Sequence, residues 1–504
     1  MGELSGREKV FKDPVHGYIS VPVEFCSVLI DTSIFQRLRQ IEQTSMRQLY
    51  PAAHHDRFIH SLGVFHLAQC VYRRLLDSCD EEDQTEIRDV LEDSMVRNTF
   101  LIASLMHDCG HAPFSHTFES FYNYSEANDT KPAYERLREC FSGDHFEISG
   151  SFKPAPHEAF SAVILKEFFS DSISKAGIDF DVEFAARMIT GCTYPDPEPL
   201  KEKVYNQLIK LLNGDAIDVD KLDYILRDTW ASGVSNVAID VERLIGAMIL
   251  RKIGGRIELW YHKSALSVIQ SVVDARNYLY RWIYAHHTVL YYAKLLDRSL
   301  RGAAKVVYPK RPDTFWQNVF SEKPFTQAVK LRTFMSTYLP SDGDILNVLK
   351  CLARSPAPKG SALEVHKQLV DDVDELLSHA PRRIPLWKTY AEYRQVFHDR
   401  PLGDIKSASH LDELVEILPK SIADSLGGDT CAEDIIVVKA QPKMYAISEP
   451  DIHILLGKNP IPFTGILGHQ VSTGPLPMHF FVFIPKEHKQ KIGSLTSELQ
   501  ARAR

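Results

Sequence analysis

The stretch TFLIASLMHDCGHAPFSH, residues 99–116, places an apolar segment directly before a run of imidazoles and a carboxylate. Thr99 to Met106 is too apolar for a solvated face, so we expect a buried helix there. His107 and Asp108 then arrive in a partly buried place, where an imidazole and a carboxylate need partners. A metal ion that binds both side chains would satisfy both of them.

Two more histidines, His111 and His116, follow this pair. Residues four apart share one face of a helix, so His107 and His111 would face the same cleft if the helix continued. Gly110 and Pro113 instead favour a helix that ends just after the pair, with both later histidines in a tight loop. Either arrangement gathers imidazoles in one place.

Three other segments carry groups that bind metals and phosphates: HHDRFIHSLG (54–63), PHE (156–158) and DVDKLDY (218–224). A site built from histidine and aspartate suits an octahedral or open divalent ion such as Fe, Mn, Mg, Ni or Zn. Basic side chains can neutralise a phosphate tail through charge-assisted hydrogen bonds. Our candidates for that role are Arg57, Lys221 and Arg276.

The composition excludes several classes of protein. The chain has 504 residues, of which 25% are charged and 44% hydrophobic, which is typical of a soluble protein with a large core. The net charge of -8 gives no general reason to expect nucleic-acid or membrane binding. No apolar run reaches the roughly 18 residues of a membrane span, and the eight cysteines form no CxxC pair. We therefore expect a cytoplasmic protein with reduced thiols.

Apolar residues recur at helical spacing in long segments, for instance over 264–296, which predicts a mainly α fold. Breaker clusters at 356–360 and 427–429 mark lobe edges. The β-rich runs 434–438 and 480–484 predict a small α+β lobe at the end of the chain. We expect three parts: a helical core over residues 1–300, a helical extension over 301–430 and a small sheet-containing lobe over 431–504.

The ordered residues His60, His107-Asp108 and Asp220 resemble the H…HD…D signature of the HD-domain phosphohydrolase superfamily. Five motifs resemble its deoxynucleoside triphosphate triphosphohydrolase branch: KVFKDPVHG (9–17), FQRLR (35–39), RFIHSLG (57–63), HDCGHAPFSH (107–116) and DVDKLDY (218–224). The resemblance implies an HD-domain catalytic core within residues 1–300. We expect it without the sterile-alpha-motif domain that the best-known member joins to its HD domain.

The resemblance also implies which residues bind a metal. One divalent ion would be held by His60, His107, Asp108 and Asp220. A second ion, Mg²⁺, could accompany the phosphates of a bound nucleotide.

The same resemblance implies that His111 and His157 assist protonation, with Glu119 as their acidic partner. We expect Glu119 to hold the tautomer of His111, which would act as the general acid. His116 would donate to a phosphate oxygen. The family usually has an aspartate at the position of Glu119, so the longer side chain can shift this contact.

By resemblance, four residues would surround the sugar, where a tightly packed aromatic ring could exclude a 2′-hydroxyl: Gln43, Tyr224, Asp228 and Tyr284. Segment 276–287 departs from the best-known member, because Tyr280 replaces a histidine, Ala285 a glutamine and His287 a lysine. The loop 43–51 is also one residue shorter. Both changes lie in segments that, by resemblance, contact the sugar and the base of the nucleotide, so they affect the expected substrate preference.

A regulatory site is a further expectation. Five residues match positions that bind an activating guanine nucleotide between subunits in allosteric members: Lys9, Val10, Asp31, Gln36 and Arg39. The alternative is that segment 35–39 is the edge of an amphipathic helix with solvated arginines. GTP or a dNTP would be the activator, and the protein would form a homo-oligomer, either a dimer or a tetramer.

Three functions remain open at this stage. The leading hypothesis is a metal-dependent dNTP triphosphohydrolase that releases deoxynucleoside and triphosphate. The second is an HD phosphohydrolase that acts on nucleoside monophosphates, alarmones or short oligonucleotides. The third is a catalytically idle, nucleotide-responsive binding protein, which the complete set of ligand positions disfavours because a buried polar cluster is costly to keep without use.

Overall fold

The computed structural model describes residues 6–81, 84–123, 132–141, 146, 154–195, 197–234, 238–332, 335–360, 362–397, 405, 407–440, 452–457, 459–463, 466 and 478–502. The fold is mainly α with small sheets, as the sequence predicts. None of the described helices is both long and apolar enough to cross a lipid bilayer.

The helices that build the site come from the first three hundred residues. In chain order they are α1 (Val23–Phe25), α2 (Ser33–Gln36), α3 (Arg57–Glu81), α4 (Thr85–Glu92), α5 (Ser94–Met106), α6 (Ala133–Cys140), α7 (Pro156–Ile164), α8 (Ser170–Lys175), α9 (Val182–Thr190), α10 (Leu200–Leu212), α11 (Val219–Ser232), α12 (Val241–Gly246), α13 (Leu266–Tyr278) and α14 (His287–Val307). A π-helical segment, Leu279–Tyr284, separates α13 from α14, so the long period over 264–296 is two helices.

The remaining helices are α15 (Asp313–Val319), α16 (Lys323–Thr326), α17 (Asp342–Ala353), α18 (Ala362–Ser378), α19 (Tyr390–Phe397), α20 (Ala408–Leu426) and α21 (Ile492–Arg502).

Within the described part of the chain, the strands form four small sheets. They are β1 (Glu8–Asp13), β2 (Gly17–Pro22), β3 (Met248–Ile253), β4 (Arg256–His262), β5 (Val329–Arg332), β6 (Met335–Thr337), β7 (Arg383–Pro385), β8 (Ile436–Ala440), β9 (His453–Leu456), β10 (Asn459–Pro462) and β11 (His479–Pro485). The sheet orders are β1-β2, β10-β9-β4-β3, β7-β11-β8 and β5-β6. The pair β4 and β9 is parallel, and the other pairs are antiparallel. The β-rich runs read from the sequence coincide with β8 and β11.

Besides a small cluster of Ile249, Trp260 and Leu455, two large apolar clusters hold the described elements together. One runs from Ile19 to Val373 and adds Ile452, Ile454 and Phe463. The other joins the start of α14 to α19, α20 and the sheet of β7, β8 and β11. The lobe boundaries at residues 300 and 430 stay a prediction.

Local signals set the helix ends that position the site. Asp93 caps α5 by accepting a hydrogen bond from Met95 N at 2.9 Å, and α5 ends at Met106, as Gly110 and Pro113 predict. Asp218 caps α11 in the same way, through Lys221 N at 2.7 Å. The C-terminal end of α5 and the N-terminal ends of α3 and α11 therefore meet in the core.

Candidate metal centre and adjoining pocket

Four ligand atoms from α3, the end of α5 and α11 converge. The Nε2 atoms of His60 and His107 are 3.3 Å apart. His60 Nε2 lies 3.5 Å from Asp108 Oδ2 and 3.0 Å from Asp220 Oδ1. His107 Nε2 lies 3.6 Å and 3.7 Å from the same two oxygens. His60, His107 and Asp108 are buried, and the side chain of Asp220 is 38% exposed, so the cluster opens on one side.

The other nitrogens of the two imidazoles show what this cluster can bind. His60 Nδ1 lies 2.7 Å from Asp223 Oδ2, and His107 Nδ1 lies 2.9 Å from the carbonyl oxygen of Ser104. Both partners are acceptors, so each Nδ1 carries a proton and each Nε2 turns its lone pair toward the carboxylates. A group of acceptor atoms with this spacing needs a cation between them. The donor set fits a divalent metal ion with ligand bonds of about 2.1 Å.

The charges around the cluster are consistent with a bound cation. Burial lowers the pKa of His60, but hydrogen bonds to Asp220 and Asp223 outweigh it and raise the pKa to about 9. In the absence of a metal ion, a proton on His60 Nε2 can therefore occupy the position between the imidazole and the carboxylates. Burial would raise the pKa of Asp108, but the Arg57 guanidinium and nearby histidines hold that pKa well below its usual range. The carboxylate of Asp108 is therefore anionic at physiological pH.

Arg57 connects the metal cluster to the neighbouring pocket. Its Nη1 donates to Asp108 Oδ2 at 2.5 Å, its Nε to Ser115 Oγ at 3.0 Å and its Nη2 to the carbonyl oxygen of Gln43 at 3.2 Å. The side chain is only 4% exposed. Arg57 is therefore a fixed cation beside the ligands, and not a surface residue.

Two buried residues that the sequence did not single out hold the loop after α5. Arg37 donates to the carbonyl oxygens of Pro340 at 2.7 Å and His111 at 2.6 Å. Asp342 accepts from Phe114 N at 2.6 Å and, with its other oxygen, from Glu42 N at 3.0 Å. These contacts keep Phe114 and Ser115 in left-handed backbone conformations, with φ of 57° and 51°. Three of these four contacts span more than 200 positions and the fourth spans 74, so no local pattern could reveal them.

The structure brings His111, His116 and His157 together but corrects the expected partner of Glu119. Glu119 binds His157 Nδ1 in a very short contact and His116 Nδ1 at 2.8 Å. His111 stacks on His157 with ring centroids 4.1 Å apart. Among the described residues neither ring nitrogen of His111 has a hydrogen-bond partner. The longer glutamate side chain reaches past His111 to the other two imidazoles.

The pKa values of the stacked pair diverge. Burial lowers the pKa of His157, but the negative charge of Glu119 outweighs burial and raises this pKa to about 9. Burial and the positive charges of Arg57, His157 and His116 lower the pKa of His111 well below its ordinary value. At neutral pH His157 therefore carries the proton that the sequence analysis expected on His111.

A cavity of about 440 Å³ lies against this cluster. Seven residues expected from the sequence line it: Gln43, Arg57, His116, Glu119, Tyr224, Asp228 and Tyr284. Tyr280 and Ala285, two of the residues that depart from the family pattern, also line it. All four sugar candidates and two of the three altered positions thus line one pocket.

Two of the expected phosphate ligands have other partners and do not line this cavity. Lys221 forms an ion pair with Asp218, the cap of its own helix. Arg276 donates to Tyr224 OH at 3.2 Å and lies over the ring of Tyr280 at 4.6 Å. Lys221 is thus engaged by the cap of its own helix, whereas Arg276 contacts two residues that line the cavity, Tyr224 and Tyr280.

Asp228 is held from two sides. His55 Nε2 lies 2.6 Å from its Oδ1, and Tyr284 OH donates to its Oδ2 in a very short contact. His55 was not a candidate, although it precedes Arg57 by two residues in a histidine-rich run. The contact fixes the ring of Tyr284 at the wall of the cavity.

The five residues expected to bind an activator lie close to the first hairpin and α2. Lys9 pairs with Asp31 at 3.1 Å, and Val10 is 56% exposed. Arg39 donates to Gln36 Oε1 at 2.8 Å and lies over the ring of Phe58 at 3.5 Å. Arg39 is therefore partly engaged in packing.

Sequence comparisons agree with this site. Residues 57–224, from the first residue of α3 into α11, match the family model of the HD domain. The chain is 32% identical over 289 residues to the chicken protein "Deoxynucleoside triphosphate triphosphohydrolase SAMHD1", covering 55% of this chain and 42% of that one.

Two further relatives are more distant in organism. The Dictyostelium discoideum SAMHD1 homologue, named a deoxynucleoside triphosphate triphosphohydrolase, is 33% identical over 238 residues, which cover 47% of this chain and 39% of that one. The uncharacterized protein YwfO of Bacillus subtilis is 29% identical over 307 residues, which cover 60% of this chain and 58% of that one. This chain thus spans about half the length of the curated relatives it matches. Residues 57–224 are thus similar to the HD domain, and about half of the chain is similar in sequence to proteins named SAMHD1 deoxynucleoside triphosphate triphosphohydrolases.

Proposed function

We propose that this protein is a metal-dependent dNTP triphosphohydrolase that converts a deoxynucleoside triphosphate to deoxynucleoside and triphosphate. The observation that carries the proposal is the junction of the four-ligand cluster with the 440 Å³ cavity, across Arg57. The chicken and Dictyostelium relatives, which are named dNTP triphosphohydrolases, support the same substrate class.

His60, His107, Asp108 and Asp220 would hold one divalent ion, which can be Fe, Mn, Mg, Ni or Zn, and a second Mg²⁺ can accompany the phosphates. When bound, such an ion polarises a phosphoryl oxygen and lowers the pKa of a water ligand. Arg57 assists from the protein side, because its guanidinium lies between the carboxylate of Asp108 and the cavity that would receive the triphosphate.

The stacked histidines, His111 and His157, suggest which residue donates a proton and which accepts one during hydrolysis. Hydrolysis at the α-phosphorus adds a water oxygen to that phosphorus, breaks its bond to the 5′-oxygen and leaves a 5′-oxygen that takes up a proton. His157 is suited to donate that proton, because Glu119 holds its Nδ1 and its Nε2 lies toward the cluster, 3.9 Å from Asp108 Oδ1. His111, neutral at pH 7, is suited to accept a proton from the attacking water. His116 lines the cavity and would donate to a phosphate oxygen.

The wall of the cavity would select the sugar. Asp228 and Tyr284 form a fixed pair, and Gln43 and Tyr224 lie at the same wall. Packed tyrosine rings leave little space for a 2′-hydroxyl, which favours deoxynucleotides. Lys221 and Arg276 remain proposed phosphate ligands, which would have to exchange their partners Asp218 and Tyr224 for the substrate.

Regulation and assembly are part of the proposal. Lys9, Val10 and Asp31 form one exposed surface beside Gln36 and Arg39, where GTP or a dNTP would bind as activator between subunits of a dimer or tetramer. The charge pair of Lys9 and Asp31 supplies one donor and one acceptor for a guanine edge. Binding there should shift the protein to a larger assembly, which light scattering would detect.

One assay tests the function. The metal-loaded protein is incubated with each dNTP, NTP and dNMP, with and without GTP, and the products are separated by chromatography. Deoxynucleoside with inorganic triphosphate is the expected result. Cleavage of monophosphates alone would indicate another HD phosphohydrolase. Nucleotide binding without turnover, with each of the five metals, would overturn the catalytic proposal.

A further inference from the structure

Asp223, three residues after Asp220, uses all of its hydrogen-bonding capacity. Its Oδ2 contacts His60 Nδ1 at 2.7 Å and Arg227 Nε at 2.9 Å. Its Oδ1 contacts His16 Nε2 at 2.6 Å and Arg227 Nη2 at 2.9 Å. The carboxylate is fully buried, and all of its partners are donors.

His16 comes from a distant part of the chain. It lies in the turn between β1 and β2, separated from Asp223 by 207 positions. Asp13 holds this turn, because its Oδ1 accepts from His16 N at 2.7 Å and its Oδ2 accepts from Arg227 Nη1 at 2.9 Å. The side chain of His16 is only 6% exposed, although most of the first strand is exposed. The turn of the hairpin therefore brings His16 into the buried surroundings of Asp223.

The contact controls how His60 faces the metal cluster. A carboxylate that accepts from His60 Nδ1 keeps the proton on that nitrogen and leaves Nε2 as the lone pair toward His107 and Asp220. Without His16, the Oδ1 atom of Asp223 would lose one of its two donors. The carboxylate could then rotate while it remains hydrogen-bonded to the guanidinium of Arg227. The plane of Asp223, and with it the orientation of the His60 ring, would be less defined.

We propose that His16 is a positioning residue of the metal centre, which acts through Asp223 on the ligand His60. The proposal rests on the proposed metal centre. It assigns to the N-terminal hairpin a direct role in metal affinity, beyond its contribution to packing.

Two substitutions separate the hydrogen bond from the packing. In His16→Gln the amide nitrogen stands at about the place of Nε2 and can still donate to Asp223. In His16→Asn the amide nitrogen stands at about the place of Nδ1 and cannot reach it. His66→Gln is the matched control, because the ring of His66 lies 5.3 Å from that of His16 and its Nε2 contacts Cys70 Sγ at 3.8 Å.

The measurement is the Kd of Mn²⁺ for the full chain, by competition with a chelator, together with the Tm of the metal-free protein. We expect His16→Asn to bind Mn²⁺ roughly 10- to 100-fold more weakly, and His16→Gln and His66→Gln to bind it nearly as tightly as the unchanged protein. Equal Kd values for His16→Asn and the unchanged protein would overturn the proposal. Equal weakening by Asn and Gln would also overturn it, since it would indicate packing alone.

The controls keep this proposal separate from the function. If the unchanged protein binds no Mn²⁺, the metal centre itself fails. If it binds Mn²⁺ but shows no dNTP hydrolysis, the metal centre and the role of His16 can stand while the substrate proposal fails. A lower Tm of metal-free His16→Asn with an unchanged Kd would assign His16 to stability only and would overturn its positioning role.

Discussion

The imidazole of His111 stacks on that of His157 with ring centroids 4.1 Å apart, and the two rings differ in their protonation. Glu119 holds His157 and keeps its pKa high, whereas burial and neighbouring cations keep the pKa of His111 low. Two adjacent imidazoles can therefore act as one donor and one acceptor at the same pH. The difference between the two pKa values arises because the carboxylate of Glu119 contacts the ring of His157 and not that of His111.

Replacing Glu119 with Gln should shift the alkaline limb of the pH–rate profile to lower pH. The protonated form of His157 is lost as the pH rises through its pKa of about 9. Without the Glu119 charge, burial is opposed only by the smaller effects of Glu158 and Asp108, and the pKa of His157 should fall from about 9 toward its ordinary value of about 6.5. We expect turnover at pH 8 to fall by roughly 100-fold, in the range for loss of a general acid.

Glu158→Gln is the control for this change, since Glu158 lies beside His157 but accepts from Ala155 N at 2.6 Å. It should shift the limb much less. Identical alkaline limbs for Glu119→Gln and the unchanged protein would exclude His157 as the proton donor.

Replacing Asp220 with Ala should abolish both metal retention and turnover, because it removes one of four converging ligand atoms. Elemental analysis of the purified protein and the product assay measure the two effects. In the unchanged protein, free metal at 100 times its Kd should add about 2.7 kcal/mol to the free energy of unfolding, and Asp220→Ala should lose this gain. Asp215→Ala, an exposed carboxylate five residues earlier, should keep it. Full metal content in Asp220→Ala would remove Asp220 from the ligand set.

Gly63→Ala should destabilise the protein and weaken the metal centre together. A Cβ at Gly63 would lie 1.9 Å from Asp223 Oδ1 and 2.5 Å from Arg227 Nη2, and neither buried group is free to move. We expect a loss of about 1–3 kcal/mol in the free energy of unfolding, measured by urea denaturation. Gly302→Ala in α14 is the control, since its Cβ would meet Leu369 at 3.6 Å, an ordinary contact. That change should gain roughly 0.5–1 kcal/mol. Similar effects of the two substitutions would argue against close packing at Gly63.

Tyr280→Ala should raise KM more than it lowers kcat. Tyr280 lines the cavity, supports Arg276 at 4.6 Å and meets the ring of Tyr284 edge-on at 5.1 Å. Loss of these aromatic contacts is worth on the order of tenfold in affinity. Steady-state kinetics with all four dNTPs would measure it. Trp282→Ala is the control, since the side chain of Trp282 is 52% exposed, and it should leave KM unchanged. Equal effects of Tyr280→Ala and Trp282→Ala on KM would indicate that Tyr280 serves only in packing.

The sequence predicted much of the fold because its signals are local. Helical spacing and the breaks at Gly110 and Pro113 act within a few residues, and α5 ends at Met106, shortly before these breaks. The period over 264–296 was less informative, because a π-helical segment keeps the apolar spacing while ending one helix.

By itself, the sequence determined the helical class and which residue types were available for a metal and a phosphate, since spacing and side-chain chemistry are properties of the chain. Tertiary structure alone decided the partners. It placed His16 on Asp223, turned Glu119 toward His157 and not His111, and joined His55 to Asp228. Hydrogen bonds and pKa values depend on which groups lie within about 3 Å and how deeply they are buried. Those distances arise when distant segments pack.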